Sequence, residues 1–109
     1  MDFNFSENAE SDLDKIINYI SNTLFNKQAA KDFFKEISKI IEDIKLFPEM
    51  YELVNNEFIK NKKIRRAPVQ NYNLYYVYND ITNSLTVLRI LYAHQNLESK
   101  LGETTEVDS

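Results

Sequence analysis

Apolar residues along this chain change their spacing once, and the change divides it into two halves. Ala9, Leu13, Ile16, Ile17, Ile20 and Leu24 recur every three or four positions, which on a helix of 3.6 residues per turn lines one face. Ala30, Phe33, Phe34, Ile37, Ile40, Ile41 and Ile44 repeat the pattern. Further on, Tyr72, Leu74, Tyr76 and Tyr78 occupy alternate positions, the period of a strand. Ser6 is placed to cap the first helix, with Glu7, Glu10 and Asp12 putting negative charge where the helix dipole favours it. Asn26 caps the second, which ends near Phe47 because Pro48 disfavours helical geometry in the residue before it.

The remaining elements are strands. Phe3 and Phe5 alternate with polar residues before Ser6, predicting a short first strand. Residues 49–61 carry a weak pattern and read as a loop, with Tyr51, Leu53, Val54, Phe58 and Ile59 as candidate packing residues. Residues 64–69 predict a strand that Pro68 assigns to an edge or a strand end, since proline has no N–H for the ladder. Residues 72–78 and 85–92 predict an antiparallel hairpin, joined by a turn of Asn79, Asp80, Thr82, Asn83 and Ser84 without glycine. Gly102 opens a polar acidic tail, residues 102–109, expected to be disordered. The order β-α-α-β-β-β gives an α+β domain over residues 1–101, a helical hairpin packed on one face of a small antiparallel sheet.

A chain of 109 residues, 43% apolar and 13% aromatic, is sized for one hydrophobic core. Without cysteine there is no disulfide framework and no thiolate metal site. A single histidine excludes His-cluster metal chemistry, and no cofactor is expected. No apolar run approaches membrane-spanning length and the first residues lack a signal-peptide pattern, so a cytoplasmic protein without membrane contact is expected.

Charge is unevenly spread. Residues 60–95 hold six bases (Lys60, Lys62, Lys63, Arg65, Arg66 and Arg89) and one acid, Asp80, for a net +5, against −9 in the remainder and −4 overall. A basic strand region beside acidic helices is a candidate surface for a polyanion or an acidic partner. Lys62, Lys63, Arg65 and Arg66 have the chemistry to hold phosphate; equally, lysines entering an edge strand discourage sheet-to-sheet aggregation. Arg89 lies among Leu88, Ile90 and Leu91, where a charge needs a partner. A salt bridge to a helix acid and a functional role both answer that need. His94, just past the last strand, is the one side chain whose ordinary pKa suits proton transfer near neutrality. Tyr72, Tyr75, Tyr76, Tyr78 and Tyr92 can stack on bases or pack against the sheet. P-loop, glycine-rich and nucleophile-elbow motifs are absent.

Several segments, in order, resemble the RelE/ParE superfamily of toxins from bacterial type II toxin–antitoxin modules. They are Ala9-Glu10-Ser11-Asp12-Leu13-Asp14-Lys15-Ile16-Ile17-Asn18-Tyr19-Ile20, then Ile44-Lys45-Leu46-Phe47-Pro48, then Ile64-Arg65-Arg66-Ala67-Pro68-Val69-Gln70-Asn71-Tyr72. Leu74-Tyr75-Tyr76-Val77-Tyr78 and Leu88-Arg89-Ile90-Leu91-Tyr92-Ala93-His94-Gln95-Asn96 follow. The resemblance covers residues 3–101. It implies a growth-inhibiting toxin held by a cognate antitoxin in a hetero-oligomer, with one of two activities. RelE-like members cut mRNA on the ribosome; ParE-like members bind DNA gyrase.

The same resemblance points away from the nuclease. RelE-like nucleases typically carry an arginine between the central strand's aromatic residue and its Leu-Val-Tyr, and Asn73 stands there. An amide supplies no fixed positive charge for a developing phosphorane. After the last strand many relatives show two basic residues, where this chain has His94 and Gln95. The expectation is therefore a ParE-like toxin whose Lys62, Lys63, Arg65, Arg66, Arg89, Tyr92 and Gln95 contact a protein target or phosphate. The alternatives are a ribosome-dependent endoribonuclease with His94 as its proton-transfer group, and a non-toxic member that only binds antitoxin.

Overall fold

Ser6 decides where the first helix starts. In the computed structural model, which describes residues 1–56, 59–95 and 100 (Lys60 by its backbone alone), the Ser6 hydroxyl accepts the Ala9 N–H at 3.0 Å. Helix α1 runs Glu7–Asn18 and opens into one π turn, Tyr19–Thr23. Phe25, at φ 51°, turns the chain back into α2, Lys27–Leu46, which Asn26 caps by accepting the Ala29 N–H at 2.9 Å. The π turn is wider than 3.6 residues, so the apolar stripe loses its phase after Ile20. Leu24, counted on that stripe, is mostly exposed as a result.

Four strands follow the expected order: β1 Asp2–Phe5, β2 Arg65–Val69, β3 Tyr72–Asn79 and β4 Ser84–Tyr92. They lie side by side as β1-β4-β3-β2. β2 pairs with β3, and β3 with β4, antiparallel. β1 runs parallel to β4, Asp2 opposite Ser84 and Phe5 opposite Val87, so the sheet is mixed where an antiparallel one was expected. Alternation states which side chains share a face and carries no information about strand direction. Pro68 sits on the edge strand β2, as its missing N–H requires. The β3–β4 turn manages without glycine because Asn79 Oδ1 accepts the Ile81 and Thr82 N–H groups at 3.0 and 3.2 Å, while Asn83 takes a left-handed backbone.

The core between helices and sheet joins Ala9, Phe33, Ile37 and Ile44 to Leu74, Tyr76, Leu85, Val87 and Ile90. Its β4 members break strict alternation. Tyr76 is opposite Val87 but Tyr75 is opposite Arg89, which leaves Leu88 as the extra residue of a bulge. Leu85 and Val87 face the helices, and after the bulge that place passes to Ile90 instead of Arg89. A second, smaller cluster gathers Ile59, Ile64, Tyr75, Leu88 and Leu91. The expected domain end at residue 101 and the acidic tail 102–109 lie outside the described residues. Among those described, no helix is long and apolar enough to cross a membrane.

Candidate functional site

Arg89 answers the question the sequence left open. β1 covers the edge of β4 only as far as Val87; from there α1 takes over. The Ser6 N–H donates to the Val87 carbonyl at 3.0 Å and its hydroxyl to the Leu88 carbonyl at 2.8 Å. Asp12 then accepts the Ile90 N–H at 3.0 Å and a two-point contact from Arg89, Nε to Oδ2 at 2.8 Å and Nη2 to Oδ1 at 2.9 Å. Arg89 Nη1 donates to the Lys100 carbonyl at 2.9 Å. Both side chains are buried. The guanidinium is thus engaged in tying α1 to the sheet.

Arg65 is half-buried and holds a loop. Its Nη1 donates to the Tyr51 carbonyl at 2.7 Å and more weakly to that of Glu49 at 3.4 Å, with Nη2 3.6 Å from the Glu49 carboxylate. Opposite it in the ladder stands Tyr76, whose hydroxyl donates to the Pro48 carbonyl at 2.7 Å. Burial raises the Tyr76 hydroxyl above its ordinary pKa of 10.0, against a partial lowering by Arg65. Burial also raises Tyr72, reinforced by Tyr19 and Tyr92. A tyrosine raised in the folded state contributes stability that is complete below the unfolded value and is lost as pH climbs through the folded one. Stability should therefore hold up to about pH 10 and fall above it, and Tyr76→Phe should flatten that fall. Urea titrations between pH 8 and 11 check both expectations; an unchanged slope in the variant would reject the role given to Tyr76.

Of the candidate bases, Lys62, Lys63 and Arg66 are exposed. A 3₁₀ turn, Lys60–Lys62, is followed by Lys63 in a left-handed backbone of φ 54°. Lys62 and Lys63 line a groove of about 390 Å³ together with Ile64, Val77, Leu88, Asn79 and Asp80. Asn73, by contrast, is 9% exposed in the middle of the sheet, between Pro68 and Leu91, with its amide donating to the Tyr75 hydroxyl at 3.4 Å.

An aromatic staircase leads from α2 across the sheet to the residues beyond β4. Phe33 meets Tyr72 edge-on at 5.3 Å, Tyr72 meets Tyr92 at 5.8 Å, and Tyr92 meets the exposed His94 at 5.2 Å. Among the described residues none hydrogen-bonds the His94 ring, so no carboxylate orients it as a base. Gln95 closes the turn, its Oε1 accepting the Tyr92 N–H at 3.1 Å. Lys62 and Lys63 therefore share a groove, while Arg65, Arg89, His94 and Gln95 are spread among other tasks.

One concavity escaped the sequence reading. Between α1 and α2 lies an apolar groove of about 480 Å³ lined by Ile17, Ala30 and Phe34, with Lys27, Lys31 and Lys35 along it. Phe34 belongs to the apolar face by spacing yet is 53% exposed. The signal available was the Lys27-Lys31-Lys35 row at helical intervals beside it.

These features sit on a fold whose comparison with family models is decisive. Residues 3–97 match the model described as "ParE toxin of type II toxin-antitoxin system, parDE". This chain belongs to the ParE toxin family. Comparison with curated proteins returns no match. As a ParE-family member the protein is the toxin component of a type II module, and the family implies an antitoxin partner.

Proposed function

We propose that this toxin arrests growth by binding a protein target such as DNA gyrase, without cleaving RNA, and that a cognate antitoxin neutralises it. The observation that carries this reading is Asn73. The position at which RelE-like nucleases place arginine is here a buried amide bonded to Tyr75. The other candidate cations support the same reading, because Arg89 and Arg65 are committed to Asp12 and to the loop carbonyls. Lys62, Lys63 and Arg66 lie at the surface, where charge complementary to the acidic groups of a partner protein raises association rate and specificity.

Purified toxin should inhibit gyrase supercoiling and leave cell-free translation of a reporter mRNA intact. Translation that stops at once, with mRNA cut at ribosomal positions, would reject this reading and establish an endoribonuclease. Antitoxin binding without either inhibition would mark a member that has lost its toxicity. His94→Ala separates the first two as well, since a gyrase-directed toxin should keep its full potency.

A further inference from the structure

Two connections meet at one end of the sheet. Arg65 stands opposite Tyr76, and Asn79 opposite Ser84, so the basic turn that leads into β2 lies at the same end as the β3–β4 turn. Together they line the groove of about 390 Å³, with Lys62, Lys63, Ile64, Val77, Asp80 and Ile81 among its residues. Both connections are braced. The Lys62 N–H donates to the Ile59 carbonyl at 2.9 Å, and the Ile64 carbonyl accepts the Val54 N–H at 2.7 Å. In the hairpin turn Asn79 holds the Ile81 and Thr82 N–H groups, while the Tyr78 hydroxyl donates to Asn83 Oδ1 at 3.2 Å. A surface fixed before binding loses little conformational freedom on contact. Two of its residues are not explained by stability. Lys63 keeps a left-handed backbone, φ 54°, which costs lysine more than glycine or asparagine. Ile81 is 91% exposed.

The groove is positive. Lys60, Lys62 and Lys63 fall within four consecutive positions, and Asp80 is the acid among the lining residues. Among the described residues no carboxylate pairs with Lys63. Anionic groups are drawn to such a place. Nucleic-acid phosphates are one class of anion, and the layout speaks against them. Tyr72, Tyr92 and His94, the rings able to stack on bases, lie at the other end of the sheet, whereas single strands are held by cations and rings side by side. Here the neighbours of the cations are aliphatic. We propose that this groove is where the toxin takes hold of its protein target, and that the target segment it receives carries carboxylates next to an aliphatic side chain. The lysines take the carboxylates, and Val77 and Ile81 the aliphatic group. Asp80 repels carboxylates from its own side, which fixes the direction in which the segment lies. The proposal rests on the target-binding reading given above, and adds to it a site and the chemistry of what fills it.

The test uses the full chain and purified DNA gyrase in a supercoiling assay. The double substitution Lys62→Glu/Lys63→Asn, whose asparagine suits the left-handed backbone, should raise the half-inhibitory concentration about 10-fold or more and weaken its dependence on salt. Ile81→Ser, at a fully surface position of the hairpin turn, should raise it several-fold without changing the salt dependence. Two controls should inhibit like the unaltered toxin. Lys15→Glu reverses an exposed charge on α1, and Phe25→Asn removes an apolar side chain 88% exposed at the helix connection. Circular dichroism of each variant confirms that the fold is kept. Undiminished inhibition by both the double variant and Ile81→Ser would overturn this assignment while leaving the function standing. Equal losses in the controls would overturn it too, since charge or apolarity anywhere would then suffice. A double variant that still inhibits gyrase but escapes neutralisation by the cognate antitoxin would give the groove to the antitoxin instead. An unaltered toxin that fails to inhibit gyrase would sink the functional reading, and this assignment with it.

Discussion

Replacing Arg89 by methionine should lower folding stability by about 3–5 kcal/mol, the usual cost of breaking a buried ion pair from one side. Asp12 would be left as a buried carboxylate with the Ile90 N–H as its remaining partner of those described above. The measurement is urea unfolding at neutral pH, where the midpoint should fall with little change in slope. Adding Asp12→Asn to Arg89→Met should recover much of the loss. The asparagine carbonyl still accepts from Ile90, and no unpaired charge remains inside. A single variant within about 1 kcal/mol of the parent would show that the pair lies in a more solvated setting than its geometry indicates.

Deleting Leu88 is expected to cost a comparable amount while keeping the fold. Leu88 is the extra residue of the bulge, so without it strict alternation runs from Val87 through Arg89 to Ile90, with Arg89 still opposite Tyr75 and Ile90 still in the core. The loss is one buried leucine of the smaller cluster and the local bend of the strand, about 2–5 kcal/mol out of a stability of about 5–15 kcal/mol. Leu88→Ala distinguishes the bulge from the packing. It keeps the extra residue and should cost about 2–5 kcal/mol for the truncated buried leucine. Comparing the two by circular dichroism and thermal unfolding decides the matter; an unfolded deletion variant beside a folded Leu88→Ala would mean that the bend at the bulge, and not the register alone, brings Arg89 to Asp12.

The helices were legible in the sequence because their signals are local. Ser6 and Asn26 each cap three residues ahead, and Pro48 acts on its immediate neighbour. The faces of β3 were equally plain, since a period of two needs only a few residues to register. Arg89 was legible as a charge that needed company, but the bulge that redirects it and the carboxylate 77 positions away are products of tertiary pairing. Arg65 was harder still: its acceptors are backbone carbonyls, which leave no trace in side-chain pattern. Within the basic set, the sequence could not separate cations bound into the fold from those at the surface, because burial and not charge draws that line. Leu46 and Phe47 lie outside the apolar face that runs from Ala30 to Ile44, and both are exposed.

The parallel pairing of β1 with β4 also governs when this molecule comes into being. Residues 2–5 find their neighbours only among residues 84–87, so the strand made first waits for the strand made last. Contacts this distant along the chain slow folding, since a long loop must close before they return any energy. On the ribosome the helical hairpin can form early, but the finished sheet, with the loop it clamps and the edge that Asp12 seals, cannot precede the last strand. Maturation is thus a single late event, and a nascent chain stopped short of β4 has no partial version of the toxin to offer.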